Sequence, residues 1–124
     1  MHVKQLLESK GSEVYTISPD ETVYQALQVM AEKEIGALVV VENAKMVGIL
    51  SERDYARKVI LKGKHSQKTL VKEIMTTHVI HTNPDQKVQT SLSLMTKNRF
   101  RHLPVLKDDQ LVGIISIEDV RRMI

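Results

Sequence analysis

Apolar residues recur along the chain in two rhythms. Val23, Leu27 and Met30 stand at helical spacing, and so do Val88, Leu92 and Met95. Each set is followed by two short apolar runs, 37–41 and 46–50 in the first half, 102–106 and 111–115 in the second. Runs of that length, divided by the polar turns "ENAK" and "KDDQ", predict β-hairpins. A short extended piece, 14–17 or 79–82, precedes each helix. The first helix of each half is expected to begin at "SPDE" or "NPDQ", where Ser18 or Asn83 can cap. Pro then fits the first turn, and Glu21 or Gln86 completes a capping box. It stops near Gly36 in the first half, and a second helix begins at Ser51 or Ser116. The order is strand, helix, strand, strand, helix, which predicts an α/β (α+β) fold with sheet and helices around one core. Val3, Leu6 and Leu7 predict a small amphipathic helix at the start. "LKGKHSQKTLVKEIMT" reads as a polar connection that turns apolar at Ile74 and Met75.

The two halves are copies. A shift of 65 residues, the distance from Pro19 to Pro84, lays one half over the other without a gap. Identical pairs include Val14/Val79, Asp20/Asp85, Val23/Val88, Leu27/Leu92, Met30/Met95, Gly48/Gly113, Ser51/Ser116 and Asp54/Asp119. Chance does not produce that register, and neither copy buries its apolar face alone. The expected division is a lead-in helix over 1–13, repeat 1 over 14–62, a connection over 63–78 and repeat 2 over 79–124, the repeats related by a pseudo-two-fold.

Composition narrows the function classes. A hydrophobic content of 42% argues against a disordered chain. Phe100 and three tyrosines are the only aromatics, too few for a base-stacking platform, and a net charge of +3 with mixed signs argues against a broad nucleic-acid face. The absence of cysteine excludes thiol catalysis and disulfides. No long apolar run suggests a signal peptide or membrane span, so a soluble, cytoplasmic protein without a membrane partner is expected. The five histidines lack metal-ligand spacing, and no nucleophile stands with a base and an orienting group. Neither a metal site nor an enzyme is expected. Met30, Met75 and Met95 sit at core-like positions.

Two stretches carry candidate chemistry. In "GILSERD", Ser51 and Asp54 have the spacing of a helix N-cap and its N3 residue, which a plain capping box worth about 1 kcal/mol explains. The same geometry favours a phosphate at the helix N-terminus and lets Asp54 accept hydrogen bonds from a ribose diol. Ser116 and Asp119 repeat the pattern. In "RFRHLPVL", Arg101 and His102 stand where a strand begins, with Arg99 nearby. They read either as solvated loop residues or as the cations of an anion pocket.

With "VGILSERD" and "VGIISIED" closing its strands and "EIMT" before the second copy, the duplicated unit resembles a tandem CBS-domain pair, or Bateman module. "IGALVV" and "RHLPV" most resemble small stand-alone bacterial CBS pairs and their plant organellar relatives. The resemblance covers nearly the whole chain. It implies a regulatory adenine-nucleotide sensor, with AMP as first ligand and ADP, ATP and NAD(H) behind it. It implies sites that combine one repeat's first strands with the other's Ser-x-x-Asp. Carried over, one site takes His81, Arg101 and His102 with Ser51, Arg53 and Asp54. The other takes Thr16, Gly36 and Ala37 with Ser116 and Asp119. In the latter, Gly36-Ala37 replaces Arg101-His102 and Glu118 replaces Arg53, so its phosphate cations are missing and it is expected to be weaker. A homodimer and a separate effector protein are also expected. A constitutive interaction scaffold with vestigial nucleotide sites is the competing reading.

Overall fold

The computed structural model describes residues 1–123. The chain forms two compact units. One is Tyr15–Val79, which contains repeat 1. The other joins Met1–Val14 to the chain from Ile80 onward, which contains repeat 2.

In the repeat-1 unit the elements are β1 (Thr16–Ile17), α2 (Val23–Lys33), β2 (Ala37–Glu42), β3 (Lys45–Ser51), α3 (Glu52–Lys58) and α4 (Val71–Ile74), with a 3₁₀ turn at Ile60–Lys62. Strand β2 is central: β1 pairs with it in parallel and β3 antiparallel. That explains its sequence. Ala37, Leu38, Val39 and Val40 are all buried, as a strand covered on both faces requires.

The repeat-2 unit holds α1 (Val3–Lys10), α5 (Val88–Asn98), β4 (His102–Lys107), β5 (Gln110–Ser116) and α6 (Ile117–Met123). Thr82 bridges Val105 in parallel, in the place where β1 lies beside β2. Each hairpin turns through two residues at positive φ, Asn43 (53°) with Ala44 (64°) and Asp108 (51°) with Asp109 (64°). This is the turn whose twist matches the flanking strands. Met30 and Met95 are core residues, and Met75 packs at the edge of its core.

The first helix of each repeat starts later than the sequence suggests. Thr22, not Ser18, is the N-cap of α2: its hydroxyl accepts the N–H of Gln25 at 3.1 Å, and the Gln25 side chain accepts the N–H of Thr22 at 2.8 Å. Lys87 holds the N-cap position of α5 without a side-chain cap. "SPD" and "NPD" form turns instead, Asp20 N–H donating to Ser18 Oγ and Asp85 N–H to Asn83 Oδ1. Ser, Asn, Pro and Asp favour turns as strongly as caps, so both readings satisfy the same local chemistry.

The segments ahead of the repeats are themselves equivalent. Val3 N–H donates to the Gln86 carbonyl and Val71 N–H to the Glu21 carbonyl, each at 2.8 Å. Lys4 bonds Pro84 at 2.9 Å as Lys72 bonds Pro19 at 3.0 Å. "VKQLL" therefore answers to "VKEIM". The relation lies three residues out of the main register, which hid it. Leu7 lies over Gly113 and Met75 over Gly48.

Those two glycines differ in what an added methyl would strike. At Gly48 a Cβ would lie 2.7 Å from Met75 Sδ and 2.9 Å from the Thr76 carbonyl, which accepts the N–H of Ile49. At Gly113 the nearest atom is Leu7 Cδ2 at 2.7 Å, the end of a side chain. Gly48→Ala is expected to cost about 1–3 kcal/mol and Gly113→Ala less, in urea unfolding. Equal losses would contradict the assignment.

Candidate functional site

Each strand-to-helix junction is built around the Ser-x-x-Asp segment. Ser51 ends β3 and caps α3. Its Oγ accepts the N–H of Asp54 at 3.1 Å, and Asp54 Oδ2 accepts the N–H of Ser51 at 2.9 Å. Ser116 and Asp119 do the same at 3.1 and 2.9 Å. The capping box therefore forms in both repeats. It occupies one carboxylate oxygen and leaves the other for further partners. The backbone fixes the neighbouring strand: Gly36 accepts the N–H of Glu52, and Arg101 that of Ile117, each at 3.0 Å. Ala37 consequently pairs with Ser51, and His102 with Ser116.

Thus the repeat-1 unit brings Gly36, Ala37, Ser51 and Asp54 together. Thr16 is exposed and pairs with Val39, two residues farther along β2. Arg53 is exposed on the first turn of α3. The repeat-2 unit brings His102, Ser116 and Asp119 together, with Arg101 adjoining. Arg101 is ion-paired to Glu118, so this cation already has a carboxylate partner. His81 is exposed and lines a separate cleft of about 310 Å³ with Asn83, Gln86, Asp108 and Asp109, toward the hairpin turn. Arg99 is the left-handed C-cap of α5.

The two aspartates expose only 13% (Asp54) and 10% (Asp119) of their side chains. A carboxylate so withdrawn from water needs charged partners. Asp54 Oδ1 lies 3.0 Å from Lys58 Nζ and accepts from the Thr76 hydroxyl at 3.4 Å. Asp119 Oδ2 lies 2.8 Å from Lys10 Nζ, and Oδ1 lies 3.5 Å from Arg122. Lys10 also donates to the Ile114 carbonyl at 2.7 Å, and Lys58 to that of Ile74 at 2.9 Å. Burial pushes the Asp119 carboxyl up, but the bond and charge of Lys10 and the bonds from Ser116 outweigh it and hold it below the usual carboxylate range. Burial holds His102 below the usual imidazole value, aided by Arg101 and Lys10 and opposed by Asp119.

Sequence reasoning missed the lysines. Lys58 stands four residues beyond Asp54, a spacing that was open to inspection. Lys10 carried no comparable signal, because it reaches Asp119 from the other end of the chain. The cation that α1 supplies to the Asp119 half-site neutralises its carboxylate.

Comparison with known proteins places these features in a family. Residues 3–61 and 71–124 each match the model of the CBS domain. The CBS domain-containing protein CBSX3, mitochondrial, of Arabidopsis thaliana is 40% identical over 98% of this chain, which spans 64% of that protein. The CBS domain-containing protein YhcV of Bacillus subtilis is 33% identical over 91% of the chain, which spans 80% of it. A crystal structure of a CBS domain, NE2398, superposes with a TM-score of 0.96 at 44% identity, over 99% of this chain and 96% of that one.

The titrating groups set an acid-side stability profile. His102 binds its proton less readily folded than unfolded, so its contribution is present above its ordinary pKa of 6.5 and is lost as pH falls below that value. Asp119 is depressed below 3.8, so its contribution is present above that pH and is lost as pH falls through its folded pKa. His102→Gln should flatten the fall in melting temperature that begins as pH drops below about 6.5, and Asp119→Asn should flatten it only below about pH 4. Identical pH profiles for wild type and both variants would exclude these groups.

Proposed function

The chain belongs to the CBS-domain family, and on that premise we propose that it is a regulatory adenine-nucleotide sensor whose first ligand is AMP, with ADP, ATP and NAD(H) as weaker candidates. CBS pairs are regulatory modules that bind adenine nucleotides. The observation that carries the reading to this chain is the doubled Ser-x-x-Asp box, its carboxylates held in place at both strand-to-helix junctions. Asp54 and Asp119 serve as ribose acceptors. Ser51 and Ser116 lie on the phosphate side. Arg101, His102 and Arg53 supply phosphate contacts, since a guanidinium grips a phosphate through two parallel N–H bonds. Thr16, Gly36 and Ala37 contribute the walls, whereas His81 lies in its separate cleft. For Arg101 to act, phosphate must compete with Glu118 for its guanidinium.

The reading includes a homodimer of closed two-fold symmetry, a cytoplasmic setting and an effector protein that receives the output. It assigns the chain no catalysis. Among the described residues no helix is long and apolar enough to cross a membrane. One observation favours the scaffold reading: both box aspartates and Arg101 already have ion-pair partners. A scaffold would retain those pairs for stability alone.

Thermal unfolding separates the two. Ligand bound only by the native state stabilises it by about 2.7 kcal/mol at a hundredfold excess over Kd. AMP should raise the melting temperature, and Asp54→Ala should abolish most of that rise. Arg101→Ala should weaken AMP by about tenfold or more and adenosine much less. If millimolar AMP leaves the wild type unmoved, the scaffold reading stands.

Light scattering should give twice the chain mass at tens of micromolar protein, about the concentration at which a specific dimer is populated. A monomer mass with and without AMP removes the homodimer from this reading.

A further inference from the structure

The segment 55–72 holds Arg57, Lys58, Lys62, Lys64, Lys68 and Lys72 and no acidic residue. Its charge of +6 is twice the net charge of the whole chain, +3. Lys58 and Lys72 are neutralised by Asp54 and Asp20. Arg57, Lys62, Lys64 and Lys68 have no ion-pair partner among the described residues. Glu73, the next acidic residue, turns back to accept the N–H of Leu70.

Exposed apolar side chains gather at the same place. Leu61 is 75% exposed and Ile60 55%. Tyr24 is also exposed, and its N–H donates to the Ser66 carbonyl, which sets it beside the segment. These are three of the four large hydrophobic side chains exposed among the described residues. The turn that carries them is tied down. Val59 is buried, and its carbonyl accepts from Lys62 and Lys64. Gly63, at a φ of 68°, donates to Ile60. Thr69 Oγ1 bonds the His65 carbonyl at 2.8 Å. The result is a preformed turn with an Ile-Leu tip and cations on both sides.

We propose that this turn docks on an anionic lipid surface, with Ile60 and Leu61 entering the headgroup boundary and Lys62, Lys64, Lys68 and Arg57 facing the headgroups. Three observations favour lipid over a protein partner. The cations are mainly lysines, which are depleted in protein interfaces and which suit a diffuse field better than a bidentate carboxylate. The apolar pair lies at the tip of a turn, where shallow insertion needs no complementary pocket. Tyrosine and lysine beside an apolar tip are the side chains that settle at a membrane interface. A second copy on this face would set like charges against each other. The contact is peripheral, and this reading is independent of the nucleotide assignment.

Vesicle sedimentation of the full chain tests it. The vesicles are phosphatidylcholine alone or with about 30% phosphatidylserine, at about 0.1 M salt. The wild type should bind only the anionic vesicles and leave them at high salt. Lys62→Gln with Lys64→Gln should lower partitioning about 25-fold, roughly fivefold per cation. Leu61→Ser should lower it about tenfold. The control pair Lys33→Gln with Lys45→Gln, in the same unit but outside the segment, removes the same charge and should change it less than about twofold. The proposal fails if the wild type binds neither vesicle, if the control pair loses as much as Lys62 and Lys64, or if Leu61→Ser binds undiminished. It also fails if Leu61→Ser converts a dimer to a monomer, which would make the turn a contact between copies.

Discussion

A carboxylate withdrawn from water is the constraint around which each repeat is arranged. Asp54 and Asp119 sit where the last strand passes into the last helix, and an unpaired charge there would be costly. The solution begins with the backbone. The serine N–H and hydroxyl meet the carboxylate, and the aspartate N–H meets the serine in return. Those bonds close the helix N-terminus, whose partial positive charge also favours the anion. The neighbouring strand is drawn in because the carbonyl just ahead of it, from Gly36 or Arg101, accepts the first helical N–H. A single buried charge is thereby tied to both the junction and the neighbouring strand.

The repeats solve the remaining half of this problem differently. In repeat 1 the partner is Lys58 from the same helix, with Thr76 alongside. In repeat 2 it is Lys10 from α1. Backbone symmetry is thus kept while side-chain electrostatics diverge. His102 stands where repeat 1 has Ala37, and Arg101 is held by Glu118. The electrostatic difference between the boxes therefore lies in which cations each carboxylate shares, as well as in how many cations lie nearby. Because Lys10 belongs to α1, the docking of that helix and the ionisation of Asp119 are energetically linked.

Charge is distributed as unevenly along the chain as around the boxes. Mixed signs in the total conceal a run from 55 to 72 without a single carboxylate. Its neutralised members, Lys58 and Lys72, help hold the repeat-1 unit together, while the others face water beside exposed apolar side chains. The basic run reads from the sequence as a solvated connection, and burial is what distinguishes it: Val59 and Val71 anchor its ends and leave Ile60 and Leu61 outside.

What the sequence by itself determined is whatever depends on residues a few positions apart. The duplication, the hairpins, the second helix of each repeat and the Ser-x-x-Asp boxes all belong to that class, because spacing and capping are local properties. Locality also explains the error at "SPDE" and "NPDQ". A turn and a helix cap draw on the same residue types, and Thr22 with Gln25 won the cap in repeat 1. The tertiary structure alone decided the pairing of Lys10 with Asp119 and of Arg101 with Glu118. It also placed α1 against the repeat farther from it in sequence. Counting cations along the chain could not reveal these choices. Each depends on which element docks beside the carboxylate, and docking is set by the burial of Val3, Leu6 and Leu7 rather than by the charged residues themselves.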